Sequence, residues 1–351
     1  MNKRLQNSLK TTIFLLIGIF LFWLVYRNQP VDEIISQLKK ANYSWLVLSM
    51  VLGLLSHISR ALRWEMLLEP LGYKPRKNVL FYSVMIMYLT NYAIPRSGEV
   101  VRAGVVSKYE KISFTSLLGT IITERAIDFI MLFILTAIVL ITKFGVFLQF
   151  LNNNEAVNER FNSIKNSMWL VIGFIAFSVA ILAILIIFRK KIAKTKIYLK
   201  FQTTINNFIN GLKSVGTVKN KLLFFGHSVF IWIMYFIMIY VSFQAFDFTK
   251  HLGLLTGLTV FVFASFGMVF PSPGGIGSWH FMTIETLFIF GIPRALGRTF
   301  AFAAHASQMI MLIAIGFWSL FMVSKIDSKD SQILNTKNTI QNENQQIISD
   351  Y

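Results

Sequence analysis

Three charged residues spaced three apart interrupt an apolar part of the sequence. Arg96, Glu99 and Arg102 follow Pro95, so a helix that begins after this proline places both arginines on the same face as the carboxylate. A guanidinium group offers paired N–H donors that match the oxygens of a phosphate. The sequence therefore predicts that these arginines either pair with Glu99 or bind the phosphate of a lipid.

A second charged group lies inside a long apolar segment. Glu124 and Asp128 are one helical turn apart, and Arg125 reaches Asp128 at a spacing of three. A helix that begins near Phe114 would place Glu124 about 15 Å along its axis, roughly halfway through the hydrocarbon. A charge at that depth costs about 2.5–3.5 kcal/mol, so such a group is normally paired or functional.

Two interpretations of these six residues remain open. The three arginines and three carboxylates balance in number, so they could neutralise one another and fix a hairpin against its neighbouring helix. Alternatively, a lipid phosphate displaces a carboxylate from Arg96 or Arg102, and the released Glu99 or Glu124 then favours protonation. The second interpretation would couple lipid movement to protons.

A glycine-rich string, Pro271-Ser-Pro-Gly-Gly-Ile-Gly277, precedes a predicted helix start at about Ser278. Its glycines leave backbone N–H groups unshielded, and a helix N-terminus attracts anions through its dipole and free donors. A plain hairpin turn with closely packed glycines explains the same residues. The candidate head-group ligands here are Gly274, Gly275, Gly277, Ser278 and Glu285, with His280, His305 and Gln308 ranked lower.

The composition defines the class of protein that must position these groups. Of 351 residues, 55% are apolar and 14% are charged, whereas soluble domains carry about 25% charged residues. The chain has no cysteine and no nucleotide-binding Gly-x-x-x-x-Gly-Lys loop, and we expect neither a metal nor a cofactor. Its histidines lack ligand spacing and are His57, His227, His251, His280 and His305. The sequence predicts an all-α polytopic membrane protein.

Apolar segments of two kinds follow one another along the chain. Two of them, 79–107 and 252–291, are broken by proline and glycine at Pro95 and Pro271. A break at membrane depth is tolerated only where protein or water surrounds it, so we predict two re-entrant helical hairpins. The predicted full spans are about 11–26, 44–62, 114–142, 168–188, 222–246 and 296–323.

The basic residues follow this topology. With both termini in the cytoplasm, the predicted cytoplasmic segments hold 22 of the 34 Lys and Arg residues, Arg60 and Arg63 among them, and the outer segments hold nine. The remaining three are Arg96, Arg102 and Arg125, within the membrane. This bias is the positive-inside pattern, so the net charge of +18 reflects membrane orientation and does not predict nucleic-acid binding.

The order of the elements repeats. Residues 1–165 and 166–323 each read as span, span, hairpin, span, and Pro95-x-x-Gly98 has the register of Pro271-x-x-Gly274. Each half crosses the membrane an odd number of times, so the second repeat is predicted to be inverted, as in many secondary transporters. An interfacial amphipathic helix at 194–215 and a disordered cytoplasmic tail at 324–351 complete the prediction.

Three strings resemble a known family. Ala93-Ile-Pro-Arg-Ser-Gly-Glu-Val-Val-Arg102, Thr123-Glu-Arg-Ala-Ile-Asp128 and Pro271-Ser-Pro-Gly-Gly-Ile-Gly277 are similar to the lysylphosphatidylglycerol synthase transmembrane-domain family, also described as flippase-like. The likeness covers about residues 10–325. It implies a multi-pass protein of the bacterial cytoplasmic (inner) membrane whose matching arginines and carboxylates line a lipid pathway. The chain lacks the aminoacyltransferase domain of full-length synthases, so the resemblance does not imply aminoacyl-lipid synthesis.

Three functions remain open from the sequence. The leading one is a lipid translocator that moves a phosphate-bearing lipid between leaflets. An anionic phospholipid, an aminoacylated phospholipid and a polyprenyl-phosphate lipid all remain open as its substrate. The second is a partner that does not transport and instead supports a glycosyltransferase or another envelope-lipid system. The third is an intramembrane hydrolytic or lipid-modifying enzyme with a Ser278/His305 dyad. We expect no enzymatic activity from this chain.

Overall fold

The computed structural model describes residues 16, 19, 20, 22–27, 30–153 and 216–349. This part of the chain consists of helices and their connecting turns, without a strand. The helices are α1 (Val31–Lys39), α2 (Tyr43–Leu68), α3 (Lys77–Ala93), α4 (Gly98–Glu110), α5 (Phe114–Asn153), α6 (Lys221–Phe243), α7 (Leu254–Val269), α8 (Ser278–Ile289) and α9 (Arg294–Ser349). The predicted all-helical class is confirmed for the described residues.

Within the described part of the chain, four helical segments are long and apolar enough to cross a membrane. They are Tyr43–Leu71, Phe114–Lys143, Lys221–Phe243 and Arg294–Ile326, at the positions of four predicted spans. Large apolar side chains on these segments, such as Ile141, Leu222 and Phe317, point away from the protein interior. Such a surface is unfavourable in water and suits lipid. The predicted span 11–26 is described only in part, and residues 22–26 are helical. The predicted elements at 168–188 and 194–215 lie outside the described residues.

Three helices are longer than their predicted spans, and one of them is α5, which was predicted at 114–142 and continues to Asn153. Helix α2 continues to Leu68, beyond the predicted end at residue 62, because no proline or glycine interrupts it before Pro70. Helix α9 is described to Ser349, beyond the predicted end of the last span at residue 323, and the disorder of the tail at 324–351 stays a prediction. The segment after Gly316 contains neither proline nor glycine, and nothing in it breaks the helical hydrogen-bond ladder.

Helices α2 and α6 pack against each other along much of their length, and the remaining helices surround this pair. Helix α3 packs against α4 and α9, and α7 packs against α8 and α5. Buried residues around Trp64, Leu68 and Phe224 form one apolar core. A second core forms around Phe243, Phe261 and Phe300.

The turn between α3 and α4 depends on a close approach at Gly98. The N–H of Gly98 donates to Asn91 Oδ1 at 2.9 Å. This hydrogen bond links the first residue of α4 to the last turn of α3. A Cβ at this position would meet the carbonyl oxygen of Met87. Gly104 also lies in α4, and a Cβ at that position would meet nothing within 4 Å.

We therefore expect Gly98→Ala to destabilise the protein by about 1–3 kcal/mol, because the rigid backbone of α3 cannot give way. Gly104→Ala serves as the matched control and should be neutral or stabilising by up to about 1 kcal/mol, since alanine favours helix. Thermal unfolding of the two purified variants in detergent measures the difference. Equal midpoints for both would contradict the packing seen at the turn.

Candidate functional site

Six charged side chains from three helices meet inside the helical bundle. Arg60 and Arg63 come from α2, Arg102 comes from α4, and α5 provides the other three. We call this set the arginine cluster: Arg60, Arg63, Arg102, Glu124, Arg125 and Asp128. Each of the three helices therefore contributes at least one charge to the same point in the bundle.

Glu124 is the centre of the cluster and is fully buried. Its Oε1 lies 2.7 Å from Arg60 Nη1 and 3.3 Å from Arg63 Nη2. Its Oε2 lies 3.0 Å from Arg102 Nη1. One carboxylate thus connects α2, α4 and α5.

Asp128 lies one turn further along α5 and contacts two of the same arginines. Its Oδ2 accepts from Arg60 Nη1 at 2.9 Å and its Oδ1 accepts from Arg63 Nη2 at 2.8 Å. Arg125 lies at the rim, with Nη2 3.3 Å from Glu124 and 3.4 Å from Asp128, and its side chain is 41% exposed. The other three arginines are buried.

The cluster carries more positive than negative charge. Four guanidinium groups face two carboxylates. Arg102 forms an ion pair with Glu124 through Nη1, whereas its Nε and Nη2 have no hydrogen-bond acceptor among the described residues. Its guanidinium carbon lies 3.8 Å from the ring centre of Trp64, and Thr120 Oγ1 accepts from the indole N–H of Trp64 at 2.9 Å. The cluster therefore holds a buried cation with unused donors, which is a costly state.

Hydroxyl groups from two further helices border the cluster. Tyr235 on α6 accepts from Arg60 Nη2 at 3.2 Å, and its hydroxyl lies 3.1 Å from that of Tyr88 on α3. Ser228 on α6 accepts from Arg63 Nη1 at 3.1 Å. These neutral groups satisfy guanidinium donors without adding negative charge.

The cluster lies at similar distances from the C-terminal ends of α2 and α4 and from the N-terminal end of α5. Arg60 is eight residues from the end of α2 at Leu68, Arg102 is eight from the end of α4, and Glu124 is ten from the start of α5. These separations correspond to about 12–15 Å along the helix axes, roughly half of a hydrocarbon core of about 30 Å. Helix α5 begins at Phe114, as the sequence predicted, and the depth of Glu124 in the membrane stays a prediction.

The two glycine- and proline-containing turns touch each other. Arg96, which precedes α4, donates to the carbonyl oxygen of Val269 at the end of α7. The ring of Tyr92 lies against Gly274, whose φ of 55° suits glycine. Tyr92 is one turn beyond Tyr88 on α3, so this helix contacts both the arginine cluster and the second turn.

The second turn is internally hydrogen-bonded. Ser278 Oγ donates to the carbonyl of Gly267 and lies 2.7 Å from Ser272 Oγ. His305 Nε2 lies 2.9 Å from the carbonyl of Gly274, and the ring centres of His305 and His280 are 4.6 Å apart. Because His305 bonds to a carbonyl and Ser278 bonds elsewhere, the Ser278/His305 dyad of the enzymatic alternative is not formed.

Four of the predicted charged ligands come together, namely Arg102, Glu124, Arg125 and Asp128. The predicted pairing of Arg96 and Arg102 with Glu99 is wrong. Arg96 has a φ of 60° and precedes α4, so the helical spacing does not apply to it, and Arg102 pairs with Glu124 instead.

Other predicted ligands lie elsewhere. Glu285 forms a bidentate pair with Arg294 at 2.8 Å, about 10 Å along α8 from Ser278. Gln308 donates to Ser49 Oγ at 2.9 Å, across the interface of α9 and α2. Gly275 and Gly277 have positive φ angles within the second turn. These residues stay candidate head-group ligands.

Sequence reasoning missed Arg60 and Arg63. It ended the second span at residue 62 and counted both as cytoplasmic, whereas the structure buries them inside α2. One available signal was their spacing of three in a segment without a helix breaker, which places them on one face. Within the described part of the chain, no group of three His, Asp or Glu residues could hold a metal ion.

Comparisons with known proteins match nearly the whole chain. The family described as "Lysylphosphatidylglycerol synthase TM region" matches residues 12–316. A UPF0104 membrane protein of Methanocaldococcus jannaschii is 22% identical over 347 residues, which cover 91% of this chain and 97% of that protein. A UPF0104 membrane protein of Methanothermobacter thermautotrophicus is 26% identical, covering 77% of this chain and 82% of its own length. Glycosyltransferase AglD of Haloferax volcanii is 29% identical over 111 residues, 31% of this chain and 18% of that protein.

We expect Glu124→Ala to lower the free energy of unfolding by about 3–5 kcal/mol, because it leaves buried arginines without their shared carboxylate. Asp247→Asn is the control, since this ion pair with Lys250 at 2.7 Å is solvent-exposed and should contribute no measurable stability. Unfolding of both variants in detergent, followed by circular dichroism, gives the comparison. A similar loss for both would show that Glu124 does not hold the bundle together.

Proposed function

Because the chain belongs to the lysylphosphatidylglycerol synthase TM region family, we propose that it is a translocator that moves a phosphate-bearing lipid between the two leaflets of a membrane. The observation that carries the proposal is the arginine cluster, in which four guanidinium groups face two carboxylates. Ionisable groups at membrane depth commonly mark substrate or ion pathways. Guanidinium groups are also suited to phosphate.

A lipid head group that crosses the membrane needs a polar site near the middle of the hydrocarbon. The arginine cluster provides one about 12–15 Å along its helices. Arg125, at the rim of the cluster and 41% exposed, gives the head group a first contact. Arg102, with unused donors, gives it a second contact further inside. This order of contacts supports passage of a head group while its chains remain in lipid.

The packing of the helices supports the predicted inverted repeat. If α2 to α5 correspond to α6 to α9, each helix contact in one half has a counterpart in the other. Helix α3 packs on α9 as α7 packs on α5, and α4 packs on α5 as α8 packs on α9. Helices α2 and α6 correspond to each other in the two repeats, so the contact between them maps onto itself. This is expected for helices next to a two-fold axis. We propose that α3–α4 and α7–α8 are the re-entrant hairpins of two inverted repeats.

We further propose the cytoplasmic membrane as the location, with both termini in the cytoplasm. In this orientation the C-terminal ends of α2 and α4 and the N-terminal end of α5 face the cytoplasm. Lys74, Arg76 and Lys77 lie in the connection between α2 and α3 or at its end, on that side. Basic residues at this position follow the positive-inside rule.

A second candidate function is that of a membrane partner in a glycosyltransferase system. It is favoured by the similarity of part of the chain to glycosyltransferase AglD. In this case the arginine cluster would stabilise the bundle, and its charges would matter for protein level only.

A leaflet-exchange assay in vesicles separates the two candidates. We expect the reconstituted protein to exchange fluorescent phosphate-bearing lipids, and Arg125→Gln to slow the exchange about tenfold by removing a charged donor. Arg76→Gln is the control, because this arginine is similarly exposed, at 47%, and pairs with Glu110 outside the cluster. A wild-type protein that exchanges none of the lipids tested would favour the partner function.

Proton coupling is a separate part of the proposal. Glu124 forms ion pairs with three buried arginines. A head group that binds these arginines would weaken their ion pairs with the Glu124 carboxylate. We expect an imposed pH gradient to accelerate exchange by the wild type in one direction. Glu124→Gln should exchange at a rate independent of the gradient, because glutamine cannot take up the proton. Wild-type exchange that is insensitive to the gradient would contradict the coupling.

A further inference from the structure

The charge balance of the arginine cluster bears on the chemistry of its ligand. Four guanidinium groups contribute four positive charges, and the carboxylates of Glu124 and Asp128 contribute two negative charges. The polar neighbours that complete the cluster, Tyr88, Tyr235 and Ser228, contribute hydroxyl groups and no formal charge. The set therefore carries a net charge of two positive units.

An excess of this size is costly inside a bundle. Arg60, Arg63 and Arg102 are each at most 3% exposed, so water does not screen their charge. A buried ion that lacks a partner is strongly destabilising. A ligand that supplies the missing negative charge would remove this cost.

We propose that the arginine cluster binds a doubly negative phosphate, and that the transported lipid ends in a phosphate monoester. This inference rests on the translocator function proposed above. A phosphate monoester carries about −1.5 to −2 charge at neutral pH, which matches the excess, and it presents three terminal oxygens. A phosphodiester carries one negative charge and leaves one guanidinium uncompensated.

The unused donors of the cluster match the oxygens of such a group. Nε and Nη2 of Arg102 lack hydrogen-bond acceptors among the described residues, and so do Nε of Arg60 and Nε of Arg63, although these atoms are buried. The Trp64 ring covers one face of the Arg102 guanidinium, so an acceptor for Nε or Nη2 would bind at its edge, where the N–H groups point. Three arginines thus offer donors that no described residue uses.

The same charge balance selects among the lipids that the sequence left open. An aminoacylated phospholipid brings a positive amine toward a positive cluster and is disfavoured. An ordinary anionic phospholipid with a phosphodiester neutralises half of the excess. A polyprenyl monophosphate has the terminal monoester and is favoured.

The test compares two lipids with the same fluorescent acyl chains in the leaflet-exchange assay. One head group is a phosphate monoester, as in a phosphatidic-acid probe, and the other is a phosphodiester, as in a phosphatidylglycerol probe. We expect the wild-type protein to exchange the monoester about tenfold faster. Equal rates, or faster exchange of the phosphodiester, would overturn the inference while leaving the translocator function standing.

Variants at Arg102 separate charge from packing. Arg102→Gln lowers the net charge by one unit and should bring the two exchange rates together. Arg102→Lys keeps the charge and should keep the preference for the monoester. Arg76→Gln, outside the cluster, should leave the ratio unchanged. If Arg102→Gln fails to fold, the wild-type ratio alone still decides the inference. A ratio unaffected by Arg102→Gln in folded protein would count against a role for this arginine in selecting the phosphate.

A third arm distinguishes a lipid head group from free phosphate. Vesicles containing the wild-type protein are given radiolabelled inorganic phosphate, and its uptake is measured. We expect no uptake together with exchange of the monoester lipid. Phosphate uptake without lipid exchange would overturn the lipid as the source of the phosphate. Absence of both activities would overturn the translocator function and the inference with it.

Discussion

The buried contact between Glu124 and three arginines is the interaction on which the bundle depends. Arg60, Arg63 and Arg102 come from two helices, and hydrocarbon offers no water to neutralise them. Glu124 is therefore the partner that allows α2, α4 and α5 to pack at this depth. The apolar core around Trp64 surrounds the contact and keeps the effective dielectric low, which strengthens each ion pair.

Stability and function make opposite demands on this cluster. A set built only for stability would have as many carboxylates as arginines, or apolar residues in their place. The observed set has two more arginines than carboxylates. Nε and Nη2 of Arg102, beside Trp64, have no hydrogen-bond acceptor among the described residues. Sites that bind ligands commonly retain such strain.

The proposed hairpins relate the cluster to the rest of the fold. Helix α3 contacts the cluster through Tyr88 and the second turn through Tyr92, and these side chains are one turn apart. Arg96 adds a bond to the carbonyl of Val269. A displacement of either turn would therefore move α3 and the hydroxyl of Tyr88 beside Tyr235. This connection would give the proposed head-group binding a physical route to the turns.

Local properties of the sequence determined the class, the four described spans, the breaks at Pro95 and Pro271 and the position of Glu124 along α5. Apolar segment length, helix-breaking residues and rise per residue need no knowledge of distant contacts. The tertiary structure alone decided which charges meet. Arg60 and Glu124 are 64 positions apart in the chain, so their pairing depends on how α2 and α5 rotate and pack. For the same reason Arg96, close in sequence to Arg102, lies against α7, while Arg63 joins the cluster.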